Sequence, residues 1–217
     1  MTKGLRDAVK LLKLEWKIYK KHQEGIKKAS KYPLDDQPMK LHLGCGLDLK
    51  KGWVNIDILG AVDLNVDLRE PIPLPDNSCS VIYSEHLLEH FDYPEGVKHL
   101  LSECLRMLQP GAIFSAGVPD TEWPLLAYGG SENHLDYFKH ARERWHPHCK
   151  TRLQHLNIHF REYGEHKYAY DFETLQVILE EAGFIDVVRR AFDPTLDTTK
   201  RELGTIYLQC KKPSHST

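Results

Sequence analysis

A chain of 217 residues with 41% hydrophobic and 28% charged residues has the make-up of an ordinary globular domain with one full core. Its net charge of −2 offers no global attraction for nucleic acid, and no run in it approaches the roughly 20 apolar residues that span a bilayer. Cys45, Cys79, Cys104, Cys149 and Cys210 are scattered, odd in number and free of CxxC pairs, which fits a reduced, cytoplasmic setting better than a disulfide framework; the N-terminus also lacks the apolar core of a secretory signal.

Residues 3–31 are lysine-rich and set Leu5, Val9, Leu12, Trp16 and Tyr19 at spacings of three and four, one stripe of an amphipathic helix. Pro33 and Pro38 flank an acidic linker, Asp35-Asp36, so residues 1–38 stand apart from a main domain over 39–217. The helix is expected to pack on that domain or to cover the mouth of its site. Basic residues opposite Trp16 and Leu12 also suit contact with a membrane surface. Lys13, Lys17 and Lys20 interrupt the stripe and put that reading second.

Strands are predicted at 40–43, 53–57, 62–66, 79–84 and 111–118. A helix over 94–108 stops at Gln109-Pro110-Gly111. A second helix, 171–182, starts on the N-cap Asp171 and ends at Gly183, where a left-handed residue is expected. Residues 184–192 and 205–210 read as two final strands joined without a helix. Alternating strands and helices imply a parallel sheet. The expectation is an α/β, Rossmann-like sheet of seven mostly parallel strands with an antiparallel last strand. Helices lie on both faces, with an N-terminal helix and an insertion after strand 5. That insertion, 121–168, is rich in His, Arg and aromatic residues and shows short helical pieces near 131–143 and 150–160. Loops at the carboxyl ends of parallel strands form the ligand crevice, so substrate selection belongs there.

The most telling stretch is the first strand and its exit. Leu41 and Leu43 alternate into Gly44-Cys45-Gly46, and the next strand ends on Asp57. Glycines let a ligand approach the backbone, and an acidic residue ending the neighbouring strand can accept from both hydroxyls of a ribose. The run continues Leu47-Asp48-Leu49, without the third glycine of a pyrophosphate binder and without a following Gly-Lys-Ser/Thr. A ligand with an adenosine but no phosphates fits best. Only residues 47–53 separate Gly46 from Val54, fewer than a helical crossover takes. The helix that normally follows such a loop is therefore reduced to a turn, and the helix at 3–31 or the 121–168 insertion is expected to supply the missing cover.

Taken in order, LHLGCG at 41–46, NID at 55–57, DLREPIPLPDNSCSVIY at 67–83, LLEHF at 87–91, LRMLQPGA at 105–112 and VPD at 118–120 make the chain resemble the class I S-adenosylmethionine-dependent methyltransferases, in particular the type-11 group. The resemblance runs from about Lys40 to Cys210. It implies S-adenosylmethionine as the cofactor, lined by Leu43, Gly44, Cys45, Gly46, Asp57, Ile58, Asp67, Leu68, Ser84 and Glu85. Asp67 falls at the adenine-edge position, with a structural role in its Pro-rich loop as the competing reading. Ser84 and Glu85 fall near the methionine amine.

Catalytic candidates follow the fourth and fifth strands. His86 and His90 are four apart and share one face of a helical turn; a neutral imidazole there can take a proton from an attacking hydroxyl or amine. A buried, backbone-bonded role competes for His90. Asp120, ending VPD, can orient a substrate hydroxyl or simply start a turn. His86-Leu-Leu-Glu89-His90 spells H-x-x-E-H, a zinc-protease signature that needs a long helix and a distant third ligand. After a strand, and with a single carboxylate for Mg²⁺, it leads to the expectation of no metal. His146-Pro147-His148-Cys149 lacks a second paired cluster. Arg142, Arg144, Arg152 and Arg161 suit an anionic substrate or a solvated helix face.

The resemblance implies methyl transfer to a small-molecule acceptor, by family analogy a hydroxyl of a sugar or nucleotide-sugar, through in-line displacement aided by His86 or Asp120. No NPPY-like tetrapeptide follows the fourth strand, which disfavours amino groups conjugated to a planar system. The rival is a non-catalytic module of the same fold acting through its basic helix. An NAD-dependent oxidoreductase fails on the missing third glycine.

Overall fold

The computed structural model describes residues 1–31 and 38–214; Pro33, Asp35 and Asp36 of the linker lie outside them. Helix α1 (Lys3–Ala29) is capped by the Thr2 hydroxyl, which accepts from the Leu5 amide at 3.4 Å. The sheet then builds from β1 (Met39–Leu43), β2 (Val54–Asp57), β3 (Leu64–Asn65) and β4 (Cys79–Glu85). Helix α2 (Glu95–Met107) leads directly into β5 (Leu108–Pro119). The insertion holds α3 (Glu122–Tyr128), α4 (Asp136–His140), a wide turn at Ala141–Trp145 and α5 (Arg152–Arg161). Helix α6 (Phe172–Glu181), β6 (Ile185–Arg189) and β7 (Thr205–Lys211) close the chain.

The seven strands lie in the order β3-β2-β1-β4-β5-β7-β6. Pairing is parallel from β3 to β5, and β7 runs antiparallel to both β5 and β6. The Asp171 carboxylate caps α6 through the Thr174 amide at 2.8 Å, and Gly183 takes φ +99° just past its end. β5 begins earlier than its Pro-Gly signal suggests. A register shift between Cys79 and Val81 absorbs the extra residues opposite Leu108–Ile113. β6 is shorter than predicted: Asp186 adopts φ +55° and breaks the register near its start, and its pairing with β7 ends at the Arg190 amide, which donates to the Tyr207 carbonyl at 3.0 Å.

Alternation divides the sheet into two different faces. Leu41, Leu43, Ile56, Ile82, Phe114 and Leu208 share one buried cluster with Leu100 and Leu101 of α2 and with Ile178 and Leu179 of α6. Their neighbours His42, Asn55, Tyr83 and Ser115 form a row by register across the other face. Residues 190–201 lie over this row. Arg190 donates to Ser115 Oγ at 2.9 Å, the Tyr83 hydroxyl donates to Asp197 at 3.0 Å, and Lys50 donates to the Leu196 carbonyl at 2.6 Å. With residues 44–53 forming only turns, the chain covers this part of the face with a polar strap instead of an apolar helix.

In the insertion, Ala127, Tyr137, Phe138 and Ala141 form a small second core with Trp123 and Trp145. Among the described residues, no helix is long and apolar enough to cross a membrane.

Candidate functional site

The exit of β1 is built for close approach. Gly44 has φ +64°, and a Cβ there would lie 2.6 Å from Leu87 Cδ1, so both the backbone and the neighbouring side chain demand glycine. Gly46 has φ +53° with nothing within 4 Å of a would-be Cβ, which leaves open space in front of its backbone. The Gly46 amide donates to Asp57 Oδ2 at 2.9 Å, and the Leu59 amide donates to Oδ1 at 3.1 Å. Two backbone donors thus fix the Asp57 carboxylate beside the glycine turn and leave further lone pairs on each oxygen. Burial, then the nearby Asp57, pushes the Cys45 thiol up to about 12. It is a wall of the turn and no nucleophile.

Asp67 is placed differently from an open adenine acceptor. Its carboxylate receives Arg69 Nε at 3.0 Å, one of the Arg69 terminal nitrogens at 2.8 Å and the Arg69 amide at 3.0 Å. Burial alone would raise its pKa, but the Arg69 hydrogen bonds outweigh burial and hold it below the usual range. Arg69 in turn pairs with Glu15 of α1, and the Asp67 amide donates to His22 Nδ1 at 3.2 Å. Ser84 is buried with an unpartnered hydroxyl. Glu85, also buried, accepts from the Tyr207 hydroxyl at 2.9 Å and from the Thr198 amide and Arg201 at 3.3 Å.

These last contacts correct one expectation. Cover beside the glycine loop comes from residues 193–204, not from α1, which lies against β3, nor from the 121–168 insertion. The Thr198 hydroxyl donates to Asp48 at 2.9 Å while Arg201 holds the Glu85 carbonyl at 3.0 Å. One strap therefore spans the ends of β1 and β4. The short loop makes this possible, because Asp48 and Lys50 occupy the place of a first helical turn and offer charges for docking.

Beyond β4 lies a cavity of about 530 Å³. His86, His90 and Asp120 all line it, so the three catalytic candidates are brought together. His86 adopts φ +53° as the chain turns off β4, and its amide donates to the Gly117 carbonyl at 2.8 Å. Its Nε2 lies 2.9 Å from Thr205 Oγ1, and burial, followed by the Arg201 charge, holds its pKa well below the ordinary value. Burial thus favours its neutral form. His90 sits on a single 3₁₀ turn, Leu88–His90, with its ring at the surface. Asp120 Oδ1 accepts from the Glu122 and Trp123 amides at 2.9 and 3.2 Å, starting α3, and burial raises its pKa.

Sequence reasoning missed His159, His166, Arg201 and Tyr207. The first two come from the insertion, and burial lowers His159 to about 4; their only signal is the density of histidines between 134 and 166. Of the insertion's arginines, Arg144 reaches the cavity lining, with Lys200 and Arg201 from the strap beside it. Arg152 lies over the Phe138 ring at 5.3 Å. In the His146–Cys149 run, His148 meets the Tyr163 hydroxyl at 2.8 Å and Cys149 is buried.

Comparison with known proteins agrees with this geometry. Residues 41–116 match the model of a methyltransferase domain. A search of curated protein sequences gives no match. Among solved structures, a SAM-dependent methyltransferase from Archaeoglobus fulgidus is similar at a TM-score of 0.51 and 20% identity, over 88% of this chain and 94% of that one. A possible exported protein from Bordetella parapertussis is similar at a TM-score of 0.50 and 14% identity, over 89% of this chain and 67% of that one. These likenesses are of fold. The domain match covers the glycine turn, Asp57 and the end of β4, on a sheet with the expected strand order, so residues 41–116 are similar to a methyltransferase domain and the fold is the Rossmann-like one of SAM-dependent methyltransferases.

Proposed function

We propose that the protein methylates a hydroxyl of a small, oxygen-rich acceptor, of the sugar or nucleotide-sugar class, bound in the cavity beyond β4. The observation that carries this reading is the pairing of a glycine turn, with Asp57 fixed beside it, and His86 lining the adjoining cavity. When bound, S-adenosylmethionine supplies a methyl carbon made electrophilic by its sulfonium. Asp57 would accept from the ribose hydroxyls, with Leu43, Gly44, Cys45 and Gly46 forming the backbone floor and Ile58 and Leu68 at its sides. Ser84 offers an unpartnered hydroxyl near the methionine end, while Glu85 acts by holding the strap.

His86 would take the acceptor proton as the oxygen attacks the methyl carbon and the C–S bond pair returns to sulfur. Asp120 and His90 would orient the acceptor. Arg144, Lys200 and Arg201 around the lining favour an acceptor that carries negative charge. Alignment supplies most of the acceleration and proton removal a lesser part. The five cysteines are all free, in keeping with a reduced, cytoplasmic setting.

The test is calorimetric titration with S-adenosylhomocysteine beside an Asp57→Ala control, followed by acceptor screening for methyl transfer. Micromolar binding that the control loses is the expected result; no binding by the folded parent protein would sink the reading. A second role rests on α1, where Leu5, Leu12, Trp16 and Tyr19 are each more than half exposed among lysines. That face suits an anionic membrane surface. Co-sedimentation with anionic vesicles, lost when Leu12 and Trp16 are replaced by Gln, is its test.

A further inference from the structure

We propose that Glu89, His90 and His166 form a binding site for one divalent transition-metal ion of the zinc type, open to the cavity beyond β4. This goes beyond the methyl-transfer reading, does not rest on it, and reverses the expectation of no metal.

One donor atom from each residue lies within 4.8 Å of the others. Glu89 is 1% exposed, and neither of its carboxylate oxygens meets a hydrogen-bond donor among the described residues. A buried carboxylate without a partner is costly unless a proton or a cation neutralises it. Burial pushes its pKa up to about 8 in the absence of a cation. The same oxygens face His86, whose Nδ1 lies 3.8 Å from Oε1.

The two imidazoles are already oriented. His90 Nδ1 donates to the Glu165 carbonyl at 3.0 Å, and His166 Nδ1 donates to the His159 carbonyl at 3.0 Å. A carbonyl only accepts, so each Nδ1 carries the hydrogen and each Nε2 keeps its lone pair. Metal-bound histidines are commonly held in this way, with the second nitrogen bonded to a backbone carbonyl. The two rings lie 5.3 Å apart at 78°. The backbone also locks the arrangement: the Glu89 carbonyl accepts from the Lys167 and Tyr168 amides at 2.8 and 3.3 Å. That bond pair pins His166, from the far end of the insertion, beside the 3₁₀ turn.

Two imidazoles and one carboxylate suit zinc and its first-row neighbours. They do not suit Mg²⁺ or Ca²⁺, which take oxygen ligands. Three protein ligands leave a position open, and His90 is exposed on the cavity side. An ion there would meet an oxygen of whatever occupies the cavity and lower the pKa of a coordinated hydroxyl or water. The H-x-x-E-H run is thus used differently from its protease form, with Glu89 as a ligand and the third ligand supplied by His166.

The test uses the full-length, tag-free protein, stripped with chelator and titrated with Zn²⁺ alone, with bound metal counted by elemental analysis. The expected result is one equivalent bound, with affinity at least tenfold weaker in both Glu89→Gln and His166→Ala and unchanged in His148→Ala. Zn²⁺ should also raise the melting temperature of the parent but not of Glu89→Gln. Glu89→Gln keeps the side-chain shape and removes the uncompensated charge, so it remains folded if His166→Ala does not. Absence of stoichiometric zinc would overturn the proposal. So would zinc bound equally well by Glu89→Gln, or zinc lost in His148→Ala, which would place the ion elsewhere.

Discussion

Thr198 donates its hydroxyl to Asp48 at 2.9 Å across a separation of 150 residues. The bond ties the strap between β6 and β7 to the loop after the glycine turn, while Thr198's own amide reaches Glu85 at the end of β4. One residue thus links the two strand ends that flank the proposed cofactor site. Thr198→Ala removes a hydrogen bond worth about 1 kcal/mol, so local opening of the strap should become roughly fivefold more frequent. Hydrogen exchange at the amides of 196–201 is the measure, and unchanged exchange there would contradict the docking described.

Arg190 and Asp197 anchor the same strap. Both terminal nitrogens of Arg190 donate to Asp197 at 2.6 Å, and the Asp197 side chain is fully covered. Arg190→Leu leaves the carboxylate buried with, among the described residues, only the Tyr83 hydroxyl and the Asp193 amide as donors. Stability in urea should fall by about 3–5 kcal/mol. The double variant Arg190→Leu, Asp197→Leu should recover much of that loss, because no buried charge remains. Additive losses would show that packing, not charge, governs this contact.

Gly44→Ala meets two obstacles, a backbone at φ +64° and Leu87 at 2.6 Å. The conformation alone costs about 1–2 kcal/mol, and displacing Leu87 adds to it. The melting temperature should drop by several degrees. Gly44→Ala with Leu87→Ala should relieve the steric part but leave the conformational part. A single variant as stable as the parent would refute the reading of this turn.

His42 gives the protein an acid limit. Burial, followed by the Lys50 charge, lowers its pKa from 6.5 to about 4. The folded state therefore binds fewer protons than the unfolded chain between these values. Stability from this group is fully present above about 6.5 and is lost as pH falls through that window toward 4. The loss approaches roughly 3 kcal/mol. Urea melts at pH 7.5 and 4.5 should show it, and His42→Gln should remove this group's share of the difference while leaving the shares of the buried His86 and His159. An equal pH dependence in His42→Gln would assign the effect to other groups.

Much of the fold was legible because its signals are local. Asp171 and Gly183 bracket α6 as their chemistry dictates, and Leu41, Leu43 and the glycines mark β1 and its exit. The short run 47–53 correctly foretold a missing helix. What replaced it was not legible, because the strap's hold depends on long-range pairs such as Lys50 with Leu196 and Tyr83 with Asp197. The site followed the same rule. His86, His90 and Asp120 stand next to strand ends, where sequence position fixes location. His166 is brought to the cavity by the bonds of its neighbours Lys167 and Tyr168 to the Glu89 carbonyl, from the far end of an insertion, and no spacing rule joins residues that far apart. Asp67 shows the reverse: its motif position was clear, but its partner Arg69 was already engaged with α1.

The packing of α1 also decides how the protein can be cut. Gly25 presses so closely on β3 that a Cβ would fall 1.9 Å from the Asn65 carbonyl oxygen. β3 is the outermost strand on that side and only two residues long. The helix thus serves as a guard rail along an open sheet margin, where a bare strand would recruit other chains. A shortened protein lacking the first 31 residues should therefore lose solubility before it loses any chemistry. Poor yield from such a truncation would report on self-association at β3 and would leave open whether α1 takes part in methyl transfer.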